Sequence, residues 1–137
     1  MKKLFKKTVL LALLLCASTS FSQILRYKAT SFSVMEKIAK DKWGDWSDFE
    51  PSTVVIAIDA KKSRIVFNSR EIQLFKIMSF GEPIKTKNSE TLILNCLDND
   101  RGSCTIIIIT KKNEDERVQF YVNYDDVKMV YNVYKTE

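Results

Sequence analysis

Acidic side chains and two tryptophans carry most of the chemical potential of this chain. Trp43, Asp45, Trp46 and Asp48 stand together in Lys42-Trp43-Gly44-Asp45-Trp46-Ser47-Asp48-Phe49-Glu50, and further acids gather in Asp98-Asn99-Asp100-Arg101-Gly102 and Asp125-Asp126. Aromatic faces beside carboxylates can hold a sugar or a cation, or anchor a partner protein. Trp43, Asp45, Trp46, Asp48, Asp98, Asp100 and Asp126 are therefore the candidate ligand- or partner-binding residues. The same aromatics have a more frequent use: Trp43, Trp46 and Phe49 can fold over a barrel mouth and plug the core, leaving the acids as solvated turn residues.

Catalytic chemistry finds little to build on. The 137 residues include no histidine, which removes Ser-His-Asp and Cys-His catalysis and histidine-based zinc sites. The acids sit in turns and at strand ends, not on apolar strand faces where a glycosidase pair would project into a cleft. Asp98 to Gly102 superficially resembles a calcium loop, but its glycine comes one position early and the closing glutamate is missing, so it reads as a hairpin turn. No S-x-x-K and no P-loop pattern occurs. Lys76 lies among apolar neighbours and is expected to point outward. No catalytic residue, metal ligand or cofactor is assigned.

Of three cysteines, Cys16 lies in the leader described below, which leaves Cys96 and Cys104. Leu92, Leu94 and Cys96 share one strand face, as do Cys104, Ile106 and Ile108. A hairpin centred on Asp100 places Cys96 opposite Cys104, Leu94 opposite Ile106 and Leu92 opposite Ile108. The turn would involve Asn99 to Arg101, with Gly102 supplying a positive φ. A disulfide there would contribute roughly 2–3 kcal/mol in the chain-entropy model. Two buried thiols, or a redox or metal role, are the alternatives; C-x7-C is neither a redox nor a zinc spacing.

The elements that position these residues begin after an export signal. Met1 to Lys7 is basic, Thr8 to Ala17 apolar and Ser18 to Ser22 small and polar, the layout of a cleaved signal peptide, with cleavage expected after Ser22. The apolar run is shorter than the roughly 20 residues a spanning helix needs, and nothing later resembles one. Lipidation at Cys16 is disfavoured by Leu15 where a small residue belongs. The chain's formal charge of +5 loses four lysines with this segment, so residues 23–137 hold 18 bases against 17 acids. Such a near-neutral remainder gives no reason to expect nucleic-acid binding. An exported, periplasmic or secreted monomer follows.

Residues 23–137 read as one β domain. Short β-branched and aromatic runs alternate with polar turns around Ile24–Val34, Thr53–Ile58, Ile65–Phe67, Ile72–Met78, Thr91–Leu97, Thr105–Thr110, Val118–Tyr124 and Val127–Tyr134. Val34 to Ala39 reads either as a helical turn or as the end of the first strand. Eight short strands with hairpin-length links suit an antiparallel up-and-down meander, all-β, forming a small lipocalin-like barrel or a strongly curled sheet. The expected inward set (Val54, Ile56, Ile58, Ile65, Phe67, Leu92, Leu94, Ile106, Ile108, Val118, Phe120, Val122, Met129 and Tyr131) is bulky enough to fill the interior. In a meander alternate turns share an end. Segments 38–52, 70–71, 98–102 and 124–126 then meet with nine acids to four bases, while 59–64, 80–90 and 111–117 carry eight bases to six acids.

The order W-x-x-W, Ile56-x-Ile58, Ile65-x-Phe67, Gln73-x-Phe75-x-Ile77, Cys96-x-Asp98-x-Asp100-x-Gly102-x-Cys104 and Met129-Val130-Tyr131-Asn132-Val133-Tyr134 resembles a family of small exported bacterial proteins of unknown function. The resemblance covers nearly all of residues 23–137, supports the fold and the disulfide, and carries over no catalytic residue. Two functions remain. One is a non-catalytic exported binder of a small ligand or protein partner at an acidic, tryptophan-bearing end. The other is a carboxylate-based enzyme of unfamiliar type acting in the periplasm.

Overall fold

The computed structural model describes residues 24–136; the expected signal peptide, its cleavage site and Cys16 lie outside them. Eleven strands follow in chain order: β1 (Ile24–Ala39), β2 (Lys42–Trp43), β3 (Glu50–Pro51), β4 (Val55–Asp59), β5 (Arg64–Asn68), β6 (Ile72–Phe80), β7 (Ile84–Lys85), β8 (Ser89–Leu97), β9 (Ser103–Lys111), β10 (Arg117–Asn123) and β11 (Val127–Thr136). Eight of them form the antiparallel meander, in the order β1, β4, β5, β6, β8, β9, β10, β11, and β11 pairs back onto β1 to close a barrel. Closure leaves no free edge along most of the sheet, which suits a chain this rich in β-branched residues.

The long first strand makes closure work. One edge of β1 runs beside β11 from Arg26↔Thr136 to Glu36↔Val127, and the other beside β4 from Ile24↔Asp59 to Lys28↔Val55. A bulge between Ala29 and Ser31 interrupts the first ladder. One extra residue reverses which side chains face in, so Tyr27 and Ala29 point inward before the bulge and Phe32 after it. Tyr27 then meets Phe120 and Phe32 meets Tyr131 inside the barrel. Val34 to Ala39 continues as strand, without a helical turn.

The interior is filled. Phe67 packs edge-on against Phe75, Tyr131 and Phe120, with ring centroids 5.2, 5.3 and 6.4 Å away. Ile56, Ile65, Leu94, Ile106 and Val122 complete the layer and are almost wholly buried. Val54, Ile58, Leu92 and Met129 pack against its margin. Such aromatic pairs favour this tilted arrangement because the positive ring edge meets the negative face of its neighbour. Lys76 is exposed on the outer face of β6.

The tryptophan segment corrects the expected plug. β1 is much longer than β4, and its leftover edge takes hydrogen bonds from the returning chain: Gly44 N–H donates to Glu36 O and Ser47 N–H to Val34 O, both at 2.8 Å. β2 and β3 pair with the same edge. Between them residues 44–49 fold across the outer wall, not over the mouth. Ser33, on the outward face, is fully buried beneath this flap and donates its hydroxyl hydrogen bond to Ser47 O. Its ladder partner Val130 is buried with it. Trp46 rests edge-on against Tyr121 at 6.3 Å and stays 39% exposed, and Phe49 is 53% exposed. The ammonium groups of Lys128 and Lys37 lie over the Trp43 ring, 4.4 and 5.5 Å from its centre. Backbone pairing along β1 therefore outweighed burial of the aromatic rings.

Candidate functional site

Four connections meet at one end of the barrel: the end of β1 and the turns 69–71, 98–102 and 124–126. Hydrogen bonds tie them together. Leu74 N–H donates to Asn99 Oδ1 at 2.6 Å, the Tyr124 hydroxyl to Asp98 Oδ2 at 2.8 Å, and Lys37 N–H to Asp126 O at 2.9 Å. The acidic turns thus share one rim, as the meander required.

Inside this rim lies a cleft of about 280 Å³, lined by Glu71, Gln73, Phe75, Asp98, Asp100 and Tyr124 among others. Its position follows from strand parity. Phe75 belongs to the buried core and Tyr124 packs against it, whereas Gln73 stands opposite Phe67 at the start of β6. The cleft is therefore the barrel mouth, floored by two aromatic rings and walled by carboxylates.

The 98–102 turn is held by hydrogen bonds within itself. Asp98 N–H donates to Gly102 O at 2.9 Å and Arg101 N–H to Asp98 O at 3.1 Å. The residue with positive φ is Arg101 at 63°, not Gly102 as expected; a three-residue loop places its left-handed residue last. Gly102 is required for a different reason. Asp98 Oδ1 accepts from Gly102 N–H at 2.7 Å and from Asp100 N–H at 2.9 Å. A Cβ on Gly102 would sit 2.9 Å from Oδ2 and 3.2 Å from Oδ1 of that carboxylate. Gly102→Ala is expected to push Asp98 off Tyr124 and lower the melting temperature by roughly 3–6 °C, the shift that about 1 kcal/mol produces in a domain of this size. An unchanged melting curve would show that Asp98 is free to move.

Both oxygens of Asp98 are thus occupied by its own turn and by Tyr124. The Gly102 N–H, the Tyr124 hydroxyl and the Asp100 N–H hold its carboxyl below the usual aspartate range. Burial, reinforced by the Asp98 carboxylate, raises the Tyr124 phenol. The bond favours the ionised form of the acceptor and the protonated form of the donor, which marks a structural pair, not an acid–base couple. Because the folded-state value is depressed, the pair's stabilisation is present above the ordinary aspartate value near ~3.9 and is lost as pH falls through the lower folded value. Melting curves taken downward from about pH 5 should show an acid-induced loss in the native chain that Asp98→Asn diminishes; equal acid sensitivity in the two would contradict this role.

The expected site residues divide. Asp98 and Asp100 line the mouth, and Asp126 stands on the neighbouring turn of the same rim. Asp45 lies with Glu36 and Ile38 in a separate recess of about 390 Å³ beside the end of β1. Asp48 is exposed on the flap, and Trp43 and Trp46 belong to the outer wall. Glu71, Gln73, Phe75 and Tyr124 were missing from the expected site, although Glu71 was already placed at the acidic end. Strand alternation from Phe75 back to Gln73, and from Val122 on to Tyr124, was the signal that finds three of them.

Cys96 faces Cys104 across β8 and β9 in the expected register, with Leu94 opposite Ile106 and Leu92 opposite Ile108. Both are buried free thiols directly below the mouth. Among the described residues no group of three or more acidic or cysteine side chains is gathered so as to hold a metal ion.

Comparison with known proteins adds no family: no family model, no curated protein and no solved structure matches this chain.

Proposed function

We propose that this protein is a non-catalytic binding protein, acting after export, that receives a cationic group in the acidic mouth of its barrel. The observation that carries this reading is that Glu71, Asp98 and Asp100 line one cleft together with Phe75 and Tyr124. Carboxylates in a partly enclosed site attract a positive charge more strongly than the same groups on open surface. A volume of about 280 Å³ suits one amine head group with a short alkyl stem, free or as a lysine side chain of a partner. Asp98 contributes fixed charge, whereas Glu71 and Asp100, both exposed, are placed to contact the ligand directly. Export rests on the basic, apolar and small-residue succession of residues 1–22. The periplasmic or secreted location belongs to the same proposal.

Calorimetric titration with spermidine tests it. The reading expects saturable binding that weakens with salt, because the screening length shrinks from about 10 Å at 0.1 M to about 3 Å at 1 M ionic strength. Absence of saturable binding at low salt would overturn it. The enzyme alternative loses ground because Asp98, the most enclosed acid of the rim, has both carboxylate oxygens engaged by its own turn and by Tyr124.

A further inference from the structure

We propose that Cys96 and Cys104 are an oxidation site: converted to a disulfide by a small-molecule or protein disulfide, they clasp the hairpin that carries the acidic turn. The two residues are direct ladder partners. Antiparallel partners have Cα atoms about 4.5–5.5 Å apart, inside the range of roughly 4.4–6.8 Å that a disulfide spans. Both side chains point inward, at 3% and 6% exposure, within the main core cluster. They therefore meet on the same side of the sheet, with no other cysteine among the described residues.

The pair is also wired to the mouth. Tyr124 packs against the core cluster that holds both cysteines, and its hydroxyl donates to Asp98, which holds the 98–102 turn. Joining the sulfurs would fix the strand ends from which Asp98 and Asp100 project. Burial pushes the Cys96 thiol up to about 12 and raises Cys104 as well. Thiolate, the attacking species, is then scarce in the folded barrel, so the exchange belongs to the folding chain, before the hairpin is covered.

The reaction balances with glutathione disulfide as oxidant. The Cys96 thiolate attacks one glutathione sulfur, forming a mixed disulfide and expelling a glutathione thiolate. The Cys104 thiolate then attacks the Cys96 sulfur, forming the Cys96–Cys104 bond and expelling the second. Two electrons pass from the cysteines to glutathione disulfide, and the two thiol protons end on the two released glutathiones.

The test needs no ligand for the mouth, so it fails independently of the binding reading. The full chain carrying Cys16→Ala is refolded with excess glutathione disulfide, or with reduced glutathione alone, then denatured, alkylated and weighed. The expected product of the first arm is two hydrogens lighter, with neither cysteine alkylated. In the Cys104→Ser variant the expected product is a glutathione adduct at Cys96, with no intramolecular bond. Amide exchange at Asp100 and Gly102 should slow by about tenfold or more in the oxidised form. Full alkylation of both cysteines, or separate glutathione adducts on each, would overturn the proposed bond. Unchanged exchange at the turn in an oxidised chain would overturn the clasp.

Discussion

Phe67→Ala is expected to destabilise the barrel by about 3–5 kcal/mol, the usual cost of removing a buried phenylalanine. Phe67 is 1% exposed and is the one ring that touches Phe75, Phe120 and Tyr131 together. Its truncation removes the transfer contribution of the ring, leaves a void in a layer held from all sides by closed ladders, and breaks three edge-on contacts each worth about 0.5–1.5 kcal/mol beyond area. The ladders limit collapse, because β5 is paired on both sides and cannot shift toward the void. Domains of this size have about 5–15 kcal/mol in total, so the variant should be partly unfolded at moderate temperature. Urea denaturation monitored by far-ultraviolet circular dichroism measures the loss. A cost below about 1 kcal/mol would mean that the interior is loosely filled.

The second large effect concerns the mouth. Glu71→Lys combined with Asp100→Lys is expected to weaken spermidine binding by tenfold or more. Each exposed ion pair contributes only about 0.2–1 kcal/mol, but reversal replaces attraction by repulsion at two positions of the same small cleft. At the middle of that range the four terms sum to about 2.4 kcal/mol, above the 1.4 kcal/mol that corresponds to a factor of ten. Because both side chains are exposed and hold no hydrogen bond to the barrel, stability should change by no more than about 0.5 kcal/mol. Titration of the folded double variant separates the two quantities. Undiminished affinity would remove Glu71 and Asp100 from the binding reading. As a control, Lys61→Glu at the opposite end should leave affinity unchanged within error.

Much of this architecture was written in the sequence. Alternation identified the inward faces of β4, β5, β8, β9, β10 and β11, and the shared face of Leu94 and Cys96 with Cys104 and Ile106 fixed the hairpin register residue by residue. Turn order then placed Asp98, Asp100 and Asp126 on one rim. Three features were not legible, each for a physical reason. The bulge at Ala29–Ser31 reverses strand parity, so Tyr27, Ala29 and Phe32 gave no single alternating pattern. The flap at 44–49 is governed by the unpaired edge of β1, whose extra length over β4 is a property of two strands together and of neither alone. The left-handed residue of the 98–102 turn is Arg101 because loop length outweighs intrinsic preference, while Gly102 is required by its nearness to the Asp98 carboxylate. The candidate site moved accordingly. Its acids stayed at the expected end, but the tryptophans became part of the wall, and Tyr124 and Phe75 took their place beside the charge.

Chemical-shift mapping with spermidine on the isotopically labelled native chain tests the central claim most directly. Binding at the acidic mouth predicts saturable shifts confined to Glu71, Gln73, Phe75, residues 98–101 and Tyr124, with Trp43 and Trp46 indole signals unmoved. Shifts centred on the tryptophan flap or on the turns 59–64 and 111–117, or no saturable shifts at low salt, would contradict it.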